Sequence, residues 1–579
     1  MTKRAFDAHF AAVYNDIKSY PSIDHVAQEL DCSPKTVKNR AGEMRSLREA
    51  GLEVPELICR VGTGRGAPPL IIDQDEDDAE SEAPQFYKRD LIVPKFAAPL
   101  KTKTRYFIFT SAQDASEVHE DFLANLEAYS KWLGNCEINI AGFTYSKKLF
   151  TDHEKDGEVY WHERVMPYMC NSQIQIGDGL VFCGEMNTVP TAVTPLSGFE
   201  TYTRDKWGIF PHAKIQLQSV ATAKLARTKQ LMTTGCVTMP NYIQMKAGIK
   251  ASFHHQIGAV LVELLPDGTF FCRHLHADGL GDLEGGFYDL DRRVEAGNVT
   301  AGLRIEAIAY GDIHHEKLDP EVALTTWGYD VETGKTIARQ NTLLDRLKPK
   351  HQFFHDLSDF SPRNHHNIKD PHFLFKTHTK GVDNVEVALL GSSGFLAETR
   401  REFVSTKVIQ SNHDNALLRW LKEADYRFDP VNAMFFLETQ TSYYRQLSDG
   451  VNDPPIFEQV LRDFQTDSLK GVEFISEDDS FMILGVEFAM HGHLGANGAR
   501  GNPRHYTKMG SKSVTGHTHS PQIIDGAYVN GVSGSLDMGY NRGLSSWAHA
   551  HTVLYQNGAR AILTMMGGRW HAPLQKAAS

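Results

Sequence analysis

Histidines are concentrated in the second half of the chain, and this constrains the fold more than any other feature of the sequence. Seventeen of the 27 histidines lie after residue 300, many of them beside Asp, Asn or Gly where a short apolar run ends. Apolar runs of this length are typical of buried β-strands. We therefore expect an α/β fold in which polar side chains gather at the ends of strands.

Five segments carry this pattern. They are RIEAIAYGDIHH with Asp312 and His314, KHQFFHDLSDF with Asp356 and Asp359, FVSTKVIQSNHD with Asn412, His413 and Asp414, FMILGVEFAMHGHLG with His491 and His493, and KSVTGHTHS with His517 and His519. Alternation along an extended backbone places Asp312 and His314 on one side, so both can hold one cation. Cysteine is absent after Cys272, so a metal in this half must be held by nitrogen and oxygen.

In this order the five segments resemble the calcineurin-like metallophosphoesterase superfamily, whose pattern is Asp-x-His, Gly-Asp-x-x-Asp, Gly-Asn-His-Asp/Glu, His and Gly-His-x-His. The resemblance covers about residues 301–565 and implies a β-sandwich flanked by helices (αββα). His355 and Ser411 depart from the pattern, because the superfamily usually has Gly at both positions. Both side chains crowd a turn, but neither replaces a ligand.

The resemblance also implies a site for two metals. One metal is implied to be held by Asp312, His314 and His519 and the other by Asn412, His491 and His517, with Asp356 bridging the two. His413 matches the catalytic histidine of the superfamily. Asp359 and Asp414 are expected behind the ligands, with Asp414 orienting His413. We expect His491 as the ligand because it directly follows the apolar strand, whereas His493 is expected to contact substrate phosphate.

Such a site fits the hydrolysis of phosphodiesters. Two cations ~3.5–4 Å apart stabilise both the attacking and the leaving oxygen and make hydroxide available near neutral pH. His413 is then the general acid that protonates the leaving oxygen. Imidazoles combined with carboxylates and an amide suit Mn²⁺, Fe²⁺ or Zn²⁺ better than Mg²⁺, and we expect Mn²⁺.

Residues 1–50 are expected to form a small helical domain. Ser22 is a plausible N-cap before one apolar helix face, and Ser33-Pro34 predicts the start of a second helix. The segment IDHVAQELDCSPKTVKNR resembles a helix-turn-helix, except that Asp31 must supply the left-handed turn residue where Gly is usual. A DNA-binding domain would present Lys35, Thr36, Lys38 and Asn39 to a groove. The alternative is a helical hairpin for packing or oligomerisation.

Residues 51–99 are expected to be a linker with an acidic run at 73–82, and residues 100–300 a mixed α/β domain. Between Thr201 and Lys250 there are eight basic residues and one acid, in a chain of net charge −12. We interpret this stretch as a surface for the DNA backbone, with Lys224, Arg227 and Lys229 on or near one helix face. Aromatic side chains between the basic residues are expected to stack on unpaired bases; they are Trp207, Phe210 and Tyr242. The alternative is a set of scattered lysines paired with acids.

Together these features favour a metal-dependent DNA nuclease. Arg500 and Arg504 lie in a loop just after His493 and are expected to hold a nucleic-acid backbone. The whole chain also resembles phage-encoded metallophosphoesterases that degrade host DNA, which implies the cytoplasm of an infected bacterium. A phosphatase with an accessory domain, or a DNA-binding regulator with a vestigial site, are the alternatives. With seven cysteines, no CxxC pair and no run of about 18 apolar residues, we expect a reducing compartment and no membrane span. The partners we expect are DNA and, in a homo-oligomer, further copies of the chain.

Overall fold

The computed structural model describes residues 3–16, 18–20, 22–52, 54–57, 95–145, 161–224, 226–278, 285–364 and 367–572. The acidic run at 73–82 and most of the expected linker lie outside these residues. The chain divides into two compact units, Met1–Ala83 and Pro84–Ser579.

Within its described residues, the first unit contains three helices, α1 (Lys3–Asn15), α2 (Ile23–Glu29) and α3 (Pro34–Glu49). The Ser22 side chain accepts a hydrogen bond from the His25 backbone N–H, and Ser33 caps α3 by accepting from Thr36. Between α2 and α3, Asp31 adopts the left-handed conformation with φ 48°. These two helices, their caps and the turn residue agree with the sequence-based expectation. DNA binding by this unit stays a prediction.

The second unit is a mixed α/β structure. Its helices are α4 (Glu120–Leu133), α5 (Lys246–Phe253), α6 (Pro320–Trp327), α7 (Leu343–Leu347), α8 (Pro371–Thr379), α9 (Val385–Thr399), α10 (Ala416–Glu423), α11 (Ala433–Ser448), α12 (Ile456–Phe464) and α13 (Pro503–Tyr506).

The strands before residue 301 are β1 (Lys95–Ala97), β2 (Arg105–Gln113), β3 (Cys136–Phe143), β4 (Gln173–Ile176), β5 (Leu180–Cys183), β6 (Trp207–Phe210), β7 (Leu217–Val220), β8 (Thr222–Ala223), β9 (Lys229–Thr233), β10 (Gly258–Leu264), β11 (Phe270–His276), β12 (Phe287–Asp289), β13 (Arg292–Glu295) and β14 (Asn298–Thr300). The later strands are β15 (Ala307–Ala309), β16 (Tyr329–Asp330), β17 (Lys335–Thr336), β18 (His351–Phe354), β19 (Ser405–Ile409), β20 (Glu473–Ile475), β21 (Met482–Ile483), β22 (Val486–Glu487), β23 (Lys512–Thr515), β24 (Gln522–Ile524), β25 (Ala527–Val529), β26 (Leu544–Ser545), β27 (Ala550–Leu554) and β28 (Arg560–Thr564).

A six-stranded sheet has the order β20-β19-β18-β15-β27-β28. Its neighbours β15, β18, β19 and β20 run parallel, with Ile308 opposite Gln352 in the register of the central pair. Parallel strands present their carboxyl ends at one edge of a sheet, where open α/β sheets bind ligands. The sheet therefore brings together the segments that follow β15, β18 and β19.

An 11-stranded sheet has the order β1-β4-β5-β6-β9-β7-β24-β25-β23-β22-β21. Its strands come from both sides of residue 300, because β7 pairs with β24 through Leu217–Ile523 and Gln218–Gln522. The regions 100–300 and 301–579, which we expected as separate domains, therefore share one sheet within the same compact unit.

The sheets enclose a common apolar core. Phe353 of the six-stranded sheet, Val514 of the 11-stranded sheet and Phe109 of a four-stranded sheet (β11-β10-β2-β3) are all fully buried in it. A second core lies on the other face of the six-stranded sheet, where Trp327, Phe395 and other residues of α6 to α12 pack. The mixed α/β class with several sheets agrees with our expectation; the β-sandwich flanked by helices that the resemblance implies stays a prediction.

Candidate metal centre

The candidate centre lies where strands of both large sheets end. Asp312 and His314 follow β15, Asp356 follows β18, and Asn412 and His413 follow β19. From the 11-stranded sheet, His517 and His519 follow β23. The backbone N–H of Gly516 donates to the carbonyl oxygen of His491 (2.7 Å), which draws the fourth segment to the same place. All five segments singled out in the sequence therefore meet.

Four of these residues form a compact buried cluster: Asp312, His314, Asp356 and His519. The His519 Nε2 atom lies 3.1 Å from Asp312 Oδ2 and 3.0 Å from His314 Nε2. The His314 Nε2 atom is in turn 3.5 Å from Asp356 Oδ2. Each side chain points one ligand atom into the same small volume, as a cation would require.

A second group adjoins the first through Asp356. The His491 Nε2 atom lies 3.4 Å from Asp356 Oδ2 and 3.1 Å from Asn412 Oδ1. The ring of His517 has its centroid 5.2 Å from that of His491. Asp356 thus stands between the two groups, where a bridging carboxylate is expected. His493 Nε2 contacts Glu477 at 3.3 Å, whereas His491 Nε2 contacts Asp356, so the geometry favours His491 as the ligand.

The donor set fits divalent cations. Asp312 Oδ1 and Asp356 Oδ1 are buried carboxylate oxygens without a hydrogen-bond partner, and a buried unpaired acceptor is costly. Gly516 is needed beside them, because a Cβ at this position would clash with Asp312 Oδ1. Backbone strain is concentrated here as well: His314, Asp356, His517 and His519 all have positive φ. Strain of this kind persists where the surrounding structure enforces it, commonly at functional sites.

His413 is held beside this cluster without joining it. Its Nδ1 donates to the backbone carbonyl oxygen of Asp359 at 3.1 Å, which fixes the orientation of the ring. The ring packs edge-to-face against His314 with centroids 4.7 Å apart. His413 thus lies directly beside the cluster, and its role as a proton donor stays a prediction.

Asp359 and Asp414 support the site in different ways. Asp359 Oδ1 lies 3.2 Å from His314 Nδ1, which fixes the ring so that Nε2 faces the cluster. We expected Asp414 to orient His413, but its carboxylate accepts from the Ser411 hydroxyl (2.9 Å) and the Ser358 backbone N–H (3.2 Å). The serine that replaces the usual Gly thus anchors Asp414, and the Asp359 carbonyl orients His413.

Burial and charge shift the pKa values of these groups in opposite directions when no metal is bound. Burial lowers the pKa of His491, but Asp356 and Asp312 more than offset this and raise it to about 9. For His517, burial and the charge of His491 prevail and lower the pKa to about 4. Burial and the charge of Asp356 raise the pKa of Asp414 to about 7. Metal binding must therefore displace a proton from His491.

Several residues at the site were missed by sequence reasoning. Glu316 is half-buried and accepts from the Ser358 hydroxyl (3.0 Å) and the Asp359 backbone N–H (2.7 Å), and Lys317 Nζ lies 2.8 Å from Asp359 Oδ2. Trp547 packs edge-to-face on His519, with ring centroids 4.3 Å apart. Glu316 and Lys317 could have been identified from the sequence, because they lie within three residues of His314. No sequence feature pointed to Trp547.

The basic stretch 201–250 does not form the surface that we expected. Lys229 is buried, and its Nζ donates to the backbone carbonyls of Glu200 and Arg204 (2.6 Å each). Trp207 and Phe210 are buried strand residues and cannot stack on bases. The expected helix is absent from the described residues around 224–229, where β8 is followed by a turn and then β9.

Part of the basic stretch nevertheless reaches the rim of the site. β8 pairs with β26, and Lys224 Nζ forms an ion pair with Asp537 Oδ1 (2.6 Å). Arg227 is exposed. In the loop after His493, Arg500 and Arg504 are also exposed, and Gly501 N–H donates to the His493 carbonyl oxygen (2.7 Å). These exposed arginines agree with the expected position of that loop.

The fold and the site together define a mixed α/β protein with a buried Asp/His cluster able to bind metal ions. Protein A1 of Escherichia phage T5 is 38% identical to the chain over 473 residues, which are 80% of this chain and 83% of the phage protein. The chain belongs to the family of this phage protein. No family model and no solved structure matches the sequence. In the part of the chain that the structure describes, no helix is both long and apolar enough to cross a membrane.

Proposed function

We propose that this protein is a deoxyribonuclease of the metallophosphoesterase class that uses two divalent cations, most simply Mn²⁺. The observation that carries the proposal is the convergence of Asp312, His314, Asp356 and His519, with unpaired carboxylate oxygens, next to His413. A phosphodiester is anionic and its leaving alkoxide is poor, so its hydrolysis needs positive charge and a proton donor at one place.

In this proposal the residues act as metal ligands, as a proton donor or as a support for a ligand. Asp312, His314 and His519 would hold one cation, Asn412, His491 and His517 the other, and Asp356 both. Bound there, the cations would supply charge that stabilises the attacking and leaving oxygens. His413 holds a proton at Nε2 for the leaving oxygen, because its Nδ1 is engaged by the Asp359 carbonyl. Asp359 keeps His314 in the orientation that binding requires.

DNA is proposed as the substrate on three grounds. Exposed Arg500 and Arg504 lie in the loop that begins at His493, and arginine is well suited to bind phosphate. The α2–α3 pair has the caps and turn of a helix-turn-helix. The relative is a protein of Escherichia phage T5, so we also propose phage origin, host DNA as the target and action in the host cytoplasm.

The test is cleavage by the purified full chain with Mn²⁺. Circular and linear duplex DNA and single-stranded DNA are the substrates, with EDTA as the metal-free control. We expect cleavage that requires metal and falls ~10²–10⁴-fold in His413→Ala while bound metal stays near the wild-type amount. His505→Ala, in the loop after His493, is the matched control and should keep turnover within a few-fold.

Two results would point elsewhere. Rapid hydrolysis of p-nitrophenyl phosphate without cleavage of any DNA would favour the phosphatase with an accessory domain. DNA binding by a chain that takes up no metal would favour the regulator with a vestigial site.

A further inference from the structure

The segment 534–547 forms one wall of the candidate metal centre, although it contains none of the proposed metal ligands. It contributes two half-buried aromatic side chains, Tyr540 and Trp547, whose ring centroids lie 6.0 Å apart. We name this pair the aromatic wall. Trp547 packs on the ring of His519, one of the four clustered residues. The wall is therefore in direct contact with the site at which the phosphate would be cleaved.

Tyr540 is tied to the same site from the other side. Lys317 Nζ lies 4.8 Å from the centre of the Tyr540 ring and 2.8 Å from Asp359 Oδ2. Burial raises the pKa of the Tyr540 phenol, and the carboxylates of Asp359 and Asp356 raise it further. The phenol is thus held in its neutral form, and the half-buried ring stands edge-to-face with Trp547 beside a strongly charged centre.

The wall is held in place before any substrate arrives. Thr228 Oγ1 donates to the backbone carbonyl of Trp547 (2.5 Å), and Ser520 and Ser546 share a hydrogen bond through their hydroxyls (2.7 Å). The ion pair of Lys224 with Asp537 fixes the start of the segment. Because these contacts hold the aromatic wall in one conformation, little conformational entropy is lost on binding. This favours recognition of a rigid flat group.

We propose that the aromatic wall stacks on an unpaired nucleobase next to the scissile phosphate, so that the preferred substrate is DNA with a single-stranded nucleotide at the cleaved bond. This inference rests on the proposed nuclease function. Every base has a flat face, so stacking tolerates all sequences but requires that the base leave the duplex stack. Arg542 is exposed on the same segment.

The test compares two oligonucleotides of equal length, oligothymidine and its fully abasic tetrahydrofuran analogue. Base–aromatic stacking contributes ~1–3 kcal/mol per base, so wild type should cleave the thymidine strand with a kcat/KM at least about tenfold higher. Tyr540→Leu should lose about tenfold on the thymidine strand and nothing on the abasic strand. Tyr540→Phe, which keeps the ring, should behave as wild type on both.

A loss of equal size on both strands would show that Tyr540 only supports the site, and would overturn the inference. Equal wild-type cleavage of the two strands would overturn it too, and would leave the nuclease proposal intact.

A binding measurement separates the two proposals further. In a His413→Ala background, a 2-aminopurine strand should be quenched on binding, and Tyr540→Leu with Trp547→Leu should abolish the quenching. Quenching of the 2-aminopurine strand without cleavage by wild type would contradict only the nuclease proposal. The absence of quenching would contradict the proposed stacking of a base on the aromatic wall.

Discussion

The middle and C-terminal regions both bury histidines, but they use them in opposite ways. In the middle region, His255 donates from Nε2 to the Thr238 carbonyl oxygen (2.8 Å) and accepts at Nδ1 from the Tyr242 hydroxyl (2.8 Å). Both ring nitrogens are satisfied. At the candidate metal centre, His491 and His519 turn Nε2 towards carboxylates and leave Nδ1 without a hydrogen-bond partner.

The difference appears in the pKa values as well. Burial lowers the pKa of His255 to about 4, whereas the carboxylates around His491 outweigh burial and raise its pKa to about 9. Burial alone is therefore no sign of a metal site. What distinguishes the two is whether imidazole nitrogens meet backbone carbonyls or converge on carboxylates with unpaired oxygens.

The largest effect is expected from Asp356→Ala. This carboxylate stands between the two groups of ligands, so its loss should remove metal-dependent activity down to the EDTA background and lower the bound metal. Metal content is measured by mass spectrometry of the purified chain. Glu473→Gln, on the exposed edge of the six-stranded sheet, is the control and should bind metal normally. A full pair of metals in Asp356→Ala would contradict the assignment.

A smaller loss should follow from Asp359→Asn. An amide cannot hold the His314 ring as the carboxylate does, and removal of such a partner typically lowers metal affinity ~10–100-fold. Asp414→Asn is the matched comparison, since this carboxylate contacts Ser411 and Ser358 instead of a histidine. Isothermal titration with Mn²⁺ measures both. Equal affinities for the two variants would show that Asp359 does not support the ligand.

The middle-region histidines should make the chain sensitive to acid. The pKa of His255 is about 4 in the folded state because of burial, below the ~6.5 of an unfolded chain. Its contribution to stability is present above pH 6.5 and is lost as the pH falls towards 4, since the unfolded chain takes up the proton first. One such group gives a slope of about 1.36 kcal/mol per pH unit in this window. His255→Gln should reduce the slope of the free energy of unfolding, measured in urea, by that amount; an unchanged slope would exclude the effect.

The smallest effect concerns the basic stretch. Lys224 already pairs with Asp537, whereas Arg227 is exposed and packs over the Phe270 ring, so Arg227→Ala should flatten the slope of log K for duplex DNA against log salt by about 0.9. Lys229→Met should leave that slope unchanged and instead destabilise the fold by ~1–3 kcal/mol, because two backbone carbonyls lose their donor. Salt titrations of DNA binding and urea unfolding separate the two. A flattened slope in Lys229→Met would contradict the burial of this lysine.

How much the sequence predicts depends on how local the signal is. The caps of α2 and α3 and the strand-end motifs around Asp312 and His519 are local patterns, and the structure contains both. The pairing of β7 with β24 is not local, since Leu217 and Ile523 are joined only by folding. The prediction that Lys229 lies on a surface of the basic stretch was wrong for a related reason. Its charges are contiguous along the chain, but β6 and β9 are covered on both faces and bury Lys229 with their apolar neighbours.

The sheet that unites the two regions has a consequence for synthesis of the protein. Strand β7 can pair with β24 only after some three hundred further residues have been synthesised. The cluster that begins at Asp312 is complete only when His519 has been made. Contacts between such distant segments form slowly. A growing or truncated chain that stops before His519 therefore lacks part of the centre. If the product is a nuclease, translation itself delays its activity until nearly the whole polypeptide has left the ribosome.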